Sequence, residues 1–180
     1  MSSSRIWKKG EITGGIISIR IIPYNGEEVV EVVGLILAGG SGTRLLPFTN
    51  YTHKSLLPIY DKPVIDYALA TFRNAGIKDI TIVANRHIVQ ISEHVGNGLE
   101  GEEFRYVLEK EPRGVKEALR LARSWIEGKR VLVYFSDNIT NCNFSDDVRF
   151  FRESDDPPGS VLLVGEVEDP SAFGVCVFDE

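Results

Sequence analysis

Three short stretches of this 180-residue sequence carry residue types that can handle phosphate. The first is Gly39, Gly40, Ser41, Gly42 and Thr43, closed by Arg44. The second is Lys54, and the third is Asp137 between Ser136 and Asn138. Small residues leave backbone N–H groups open to a polyphosphate, and a guanidinium at the end of such a loop can grip phosphate oxygens as a fork. A carboxylate opposite the loop is where Mg²⁺ would sit, since that ion typically takes one or two carboxylates and fills its shell with phosphate oxygens and water. The glycine loop is neither of the two common phosphate signatures. No stretch has the Gly-x-x-x-x-Gly-Lys-Ser/Thr spacing of a P-loop. Gly40 and Gly42 begin a Gly-x-Gly-x-x-Gly fingerprint, but Leu45 stands where its third glycine would be. Each stretch also has a plainer reading: a strand-to-helix turn, a solvated lysine, and an aspartate that caps or turns the chain.

These residues act together only if the fold brings them together, and the pattern around them supplies such a fold. Residues 33–37 are an all-apolar run, as in a strand buried on both faces, and the glycine loop follows it directly. Further strands are read at residues 80–84, 104–108, 131–135, 161–164 and 175–178. Helices are read at 63–75, 88–95 and 115–126, the last amphipathic and stopped by Gly128, and Ser145 with Asp146 and Asp147 marks a helix start. Strands alternating with helices imply a mostly parallel sheet covered on both faces, with ligands beyond the carboxyl ends of the strands. The loop at 39–44 and the turn at 136–138 both fall there. Residues 1–32 read differently. Ile17, Ile19 and Ile21 alternate with Ser18 and Arg20, and Asn25-Gly26 signals a hairpin turn, so this part reads as an N-terminal β extension before a core at 33–180.

Composition narrows the function classes. Twenty Lys and Arg against 26 Asp and Glu give a net charge of −6, which argues against a nucleic-acid partner held by bulk charge and leaves room for a small anionic substrate. No apolar run reaches the ~18 residues of a membrane span, so no membrane partner is expected. Two cysteines without metal-ligand spacing suit a reducing, cytoplasmic setting. His53, beside Lys54, reads as a solvated loop histidine.

The segment from Gly34 through Arg44, then Lys54-Ser-Leu-Leu-Pro58, then Tyr60-Asp-Lys-Pro63, resembles the opening of the sugar-1-phosphate nucleotidyltransferases, most of all the glucose-1-phosphate thymidylyltransferases among them. Ser136-Asp-Asn138 and Asp169-Pro-Ser-Ala-Phe-Gly-Val175 match later landmarks in order, so the resemblance spans about residues 33–179. It implies a three-layer, Rossmann-like α/β fold. It also implies joining of a nucleoside triphosphate, dTTP or UTP in the first instance, to a sugar-1-phosphate such as glucose-1-phosphate, with release of pyrophosphate. On that resemblance, Leu37, Ala38, Gly39, Gly40, Ser41, Gly42 and Thr43 would bind nucleotide. Arg44 and Lys54 would be catalytic, offsetting phosphate charge, Asp137 would hold Mg²⁺, and Glu109 and Gly114 would occupy base-contacting positions.

The sequence departs from the family pattern in four ways. Glu109 replaces the usual Gln, exchanging a side chain that donates and accepts for one that, ionised, only accepts. Ser55 replaces a common Gln, and Ser136 a Gly. The acidic-Lys-Pro stretch that binds the sugar phosphate and a second metal-binding aspartate are not found in the 180 residues, so the core is expected to lack most of its sugar-binding half. Two alternatives stay open: a non-catalytic or split nucleotide binder completed by a partner chain or by homo-oligomerisation, and a guanylyltransferase of the molybdenum-cofactor type.

Overall fold

The computed structural model describes residues 7–9, 12–13, 17–21, 31–154, 160–164, 169 and 171. Strand β4 (Val32–Ala38) is its axis, and all seven residues are buried. Alternate side chains of a strand point to opposite faces, and β4 divides accordingly. Ile36 and Ala38 enter one apolar cluster, while Val33, Leu35 and Leu37 enter another. The first cluster lies under α1 (Val64–Asn74), α2 (Ile88–Val95) and α5 (Ser145–Glu153), through Ile65, Leu69, Phe72, Ile91, Val148 and Phe151. The second lies under α3 (Val115–Leu121) and α4 (Arg123–Ile126), through Ala118, Ala122 and Ile126. The chain therefore forms the expected three layers.

The main sheet has seven strands in the order β1 (Trp7–Lys9), β11 (Ser160–Val164), β3 (Ile17–Ile21), β9 (Arg130–Phe135), β4, β7 (Asp79–Ala84), β8 (Glu103–Leu108). β9, β4, β7 and β8 run parallel, so their carboxyl ends share one edge. β3 is antiparallel to both β9 and β11, with Ile19 opposite Leu132 on one side and Val161 on the other. The alternation at residues 17–21 thus marks a real strand, and its partners among the described residues are core strands. The turn at Asn25-Gly26 and the return beyond it lie outside the described residues, as do the loop at 155–159 and the strand expected at 175–178. Two short pairs complete the picture: β2 (Ile12–Thr13) with β10 (Ile139–Thr140), and β5 (Pro58–Ile59) with β6 (Lys62–Pro63).

One expected element differs. The helix read over 115–126 is two helices, broken at Ala122, whose backbone (φ −83°, ψ −2°) closes a tight turn with Trp125 N–H donating to the Ala122 carbonyl at 3.0 Å. Apolar periodicity does not register this break, because Ala118, Ala122 and Ile126 stay buried on the same face through it. Among the described residues no helix is long and apolar enough to cross a membrane.

Candidate active site

The site grows from the carboxyl end of β4. Leu37 and Ala38 are its buried floor, and the chain leaves the sheet at Gly39. Gly42 takes a left-handed conformation (φ 64°, ψ 29°), which a side chain would strain, and opens the short 3₁₀ turn Thr43–Leu45. Protein donors take the loop's carbonyls one after another. His53 Nε2 bonds the Ala38 carbonyl at 2.7 Å. Asn85 Nδ2 donates to the Gly40 carbonyl at 3.0 Å and lies 3.5 Å from that of Gly39. Thr49 Oγ1 and the Leu45 N–H both donate to the Gly42 carbonyl at 2.9 Å. The N–H groups of residues 39–43 find no acceptor among the described residues. Fixing the carbonyls while leaving successive N–H groups free makes a concavity suited to an anion.

His53 is the anchor of this arrangement, which corrects the reading of it as a solvated loop residue: it is only 1% exposed. Its Nδ1 accepts the Ser55 N–H at 3.1 Å and lies 2.6 Å from Ser55 Oγ. That leaves Nε2 as the protonated nitrogen that donates to Ala38. Burial pushes its pKa down to about 4, helped by the nearby charge of Lys54 and opposed by the bond to Ala38. The ring is therefore neutral at physiological pH. Its acceptance from Ser55 caps the 3₁₀ turn Lys54–Leu56, and this fixes where Lys54 begins.

The lysine crosses the mouth of the loop. Its ammonium bonds Asp137 Oδ2 and lies 2.9 Å from where a Cβ on Gly40 would be. Asp137 follows β9 in a turn tied by Ser136 N–H to the Leu37 carbonyl at 3.0 Å and Asn138 N–H to the Phe135 carbonyl at 3.1 Å. Its side chain is 45% exposed, turned outward and not into the core. Through the shared lysine, Asp137 and Gly40 face each other across one gap. Arg44 is exposed on the turn after the loop and pairs with no carboxylate among the described residues.

Glu109 approaches from the other side. It follows β8, and its N–H donates to the Ala84 carbonyl at 2.8 Å, extending the parallel ladder by one residue. The side chain is 3% exposed. Its Oε2 lies 1.8 Å from the point a Cβ on Gly39 would occupy, and Oε1 is buried with no partner among the described residues. The absent side chain of Gly39 is thus what admits the Glu109 carboxylate. Gly114 has a positive φ (89°) at the start of α3, with open space where a Cβ would sit. Of the landmark at 169–175 only Asp169 and Ser171 are described; the Ser171 N–H donates to Asp169 Oδ1 at 2.9 Å.

Sequence reasoning missed two positioning residues, His53 and Asn85. Asn85 is the first polar residue after the apolar run of β7, the same strand-end position that drew attention to Asp137, so that signal was available. Nothing local marks His53 as buried, because the carbonyl it holds belongs to β4.

A mostly parallel sheet thus carries a glycine loop with tethered carbonyls, two cations and one carboxylate at a single strand edge, and the class of protein is an α/β fold. The family comparison agrees. The model of the nucleotidyl transferase family matches residues 33–180, and the chain belongs to that family. Among curated proteins it is 37% identical over 150 residues to a glucose-1-phosphate thymidylyltransferase of Xanthomonas campestris, covering 82% of this chain and 50% of that one. It is 35% identical over 147 residues to a glucose-1-phosphate thymidylyltransferase of Streptomyces antibioticus, covering 81% of this chain and 41% of that one. A solved structure assigned as a glucose-1-phosphate thymidylyltransferase of Bacillus anthracis superposes with a TM-score of 0.64 at 33% identity, covering 67% of this chain and 50% of that one. The chain spans about half the length of these relatives or less.

Proposed function

We propose that this chain forms the nucleotide-binding side of a sugar-1-phosphate nucleotidyltransferase. The reaction joins a nucleoside triphosphate to a sugar-1-phosphate: a phosphate oxygen of the sugar-1-phosphate attacks the α-phosphorus, its bond to the β-phosphate breaks, and pyrophosphate leaves. The observation that carries this reading is the loop itself. With the carbonyls of Ala38, Gly40 and Gly42 held by His53, Asn85 and Thr49, the N–H groups of residues 39–43 remain for a ligand while Lys54 stands over Gly40. Catalysis at such a site is positioning and charge neutralisation, with no covalent intermediate. The loop N–H groups and Arg44 hold the triphosphate. Lys54 exchanges its bond to Asp137 for phosphate oxygens and offsets charge on the departing pyrophosphate.

Asp137 suits a Mg²⁺ ion in one respect: it is a half-exposed carboxylate at the strand edge beside the phosphate loop. Among the described residues no group of three or more His, Cys, Asp or Glu side chains could cage a metal. A lone exposed carboxylate of this kind suits the binding mode in which one carboxylate shares the ion with phosphate oxygens and water. When bound, the ion would neutralise triphosphate charge.

The relatives' names make dTTP and glucose-1-phosphate the first pair to test. Calorimetry with dTTP and UTP, with and without Mg²⁺, measures binding, and a coupled pyrophosphate assay measures turnover. Binding together with pyrophosphate release that depends on both substrates supports the full reading. Binding without release, across several sugar-1-phosphates, supports a nucleotide-binding chain that needs a partner for turnover. Absence of any triphosphate binding overturns both.

A further inference from the structure

We propose that Glu109 sets the base preference of this site, favouring a nucleobase edge with two adjacent N–H donors over one with a single donor flanked by carbonyls. Guanine is the common base with such an edge. This inference rests on the nucleotide reading above and adds the identity of the base to it.

Glu109 is the only buried carboxylate at the carboxyl edge of the parallel strands among the described residues, and it lies across Gly39 from the phosphate loop. No donor among the described residues satisfies Oε1. A buried polar atom left unpaired costs about 1–3 kcal/mol, so the residue is poised for a donor that the described residues do not supply. Lys54 bonds Asp137, Asn85 gives its amide hydrogens to the loop carbonyls, and Ser136 Oγ and Asn138 Nδ2 at the end of β9 make no bond to the carboxylate. We assign that donor to the ligand. The chemistry of the carboxylate then selects the ligand. Ionised, it has two acceptor oxygens and no donor. Guanine presents N1–H and the N2 amino group side by side on one edge, matching two oxygens in a fork. Thymine and uracil present one N3–H between two carbonyls, so the second carboxylate oxygen would face a carbonyl oxygen. A site with buried polar groups discriminates strongly against a ligand that leaves them unpaired.

The test uses the full chain and calorimetric titration with GTP, inosine triphosphate, dTTP, UTP and inorganic tripolyphosphate. Inosine triphosphate keeps N1–H and lacks the N2 amino group. The expected order is GTP tightest, with inosine triphosphate and dTTP each weaker by about tenfold or more, the range of one good bidentate pair. In Glu109→Gln, whose amide donates and accepts, the GTP-to-dTTP ratio should fall by at least about tenfold. Equal affinity of wild type for GTP and inosine triphosphate overturns the two-donor assignment even if the variant does not fold. A preference for dTTP or UTP overturns it as well, while leaving the nucleotide reading intact. If tripolyphosphate and every nucleotide fail to bind, the nucleotide reading falls and this inference falls with it.

Discussion

His53 makes a quantitative prediction about stability. In the folded chain its pKa is lowered from 6.5 to about 4, first because burial disfavours the charged ring and then because Lys54 and His87 add positive charge nearby; the Ala38 bond and Asp137 act in the opposite direction. The unfolded chain therefore takes up the proton more readily than the folded one. The histidine's contribution is fully present above about pH 6.5 and is lost as pH falls toward about 4. Integrating between about pH 8 and about pH 5 gives a loss of about 2 kcal/mol from this one group. His53→Gln keeps a neutral N–H within reach of the Ala38 carbonyl and does not titrate. Urea unfolding followed by circular dichroism at the two pH values should show wild type losing about 2 kcal/mol more than the variant, the other titrating groups cancelling in the comparison. The variant itself should cost about 1 kcal/mol at the higher pH, where it loses the contact with Ser55. An equal pH-dependent loss in both proteins would refute the claim that this ring is buried neutral under the glycine loop.

Two further perturbations address the loop and its charges. Gly39→Ala puts a Cβ where Glu109 Oε2 lies, only 1.8 Å from it, and should cost about 1–3 kcal/mol of unfolding free energy by overpacking. The same substitution in a Glu109→Ala background should cost little, and an equal cost in both backgrounds would show that the two residues do not collide. Asp137→Asn should abolish any Mg²⁺-dependent gain in triphosphate affinity measured by calorimetry, while leaving metal-free binding the same or tighter because Lys54 is released from its partner. Retention of the Mg²⁺ gain would move the metal to another ligand.

Most of the architecture is legible along the chain. Buried parallel strands have to be apolar on both faces, so the run within Val32–Ala38 and those at β7 and β9 announce themselves. Helices that cover a sheet have to be apolar on one face, so α1 and α2 show a helical period. The phosphate-handling candidates were equally visible, because a glycine loop, a lysine and a strand-end aspartate are conspicuous as residue types. The break at Ala122 was hidden, since a one-residue turn that keeps the same face buried leaves the pattern unchanged.

What local sequence determines about this protein is which residues are placed at the carboxyl edge of the sheet; what they do to one another was decided only in three dimensions. His53 becomes an anchor because Ala38, fifteen positions earlier, offers it a carbonyl, and it stays neutral because burial disfavours the charged ring. Gly39 has to be glycine because Glu109, brought alongside by the pairing of β8 with β7 and of β7 with β4, fills the space of its missing side chain. Lys54 and Asp137 meet across 83 positions of chain. Periodicity reports the environment of one residue at a time, whereas hydrogen bonding, burial and charge pairing are properties of neighbours that only the folded sheet supplies.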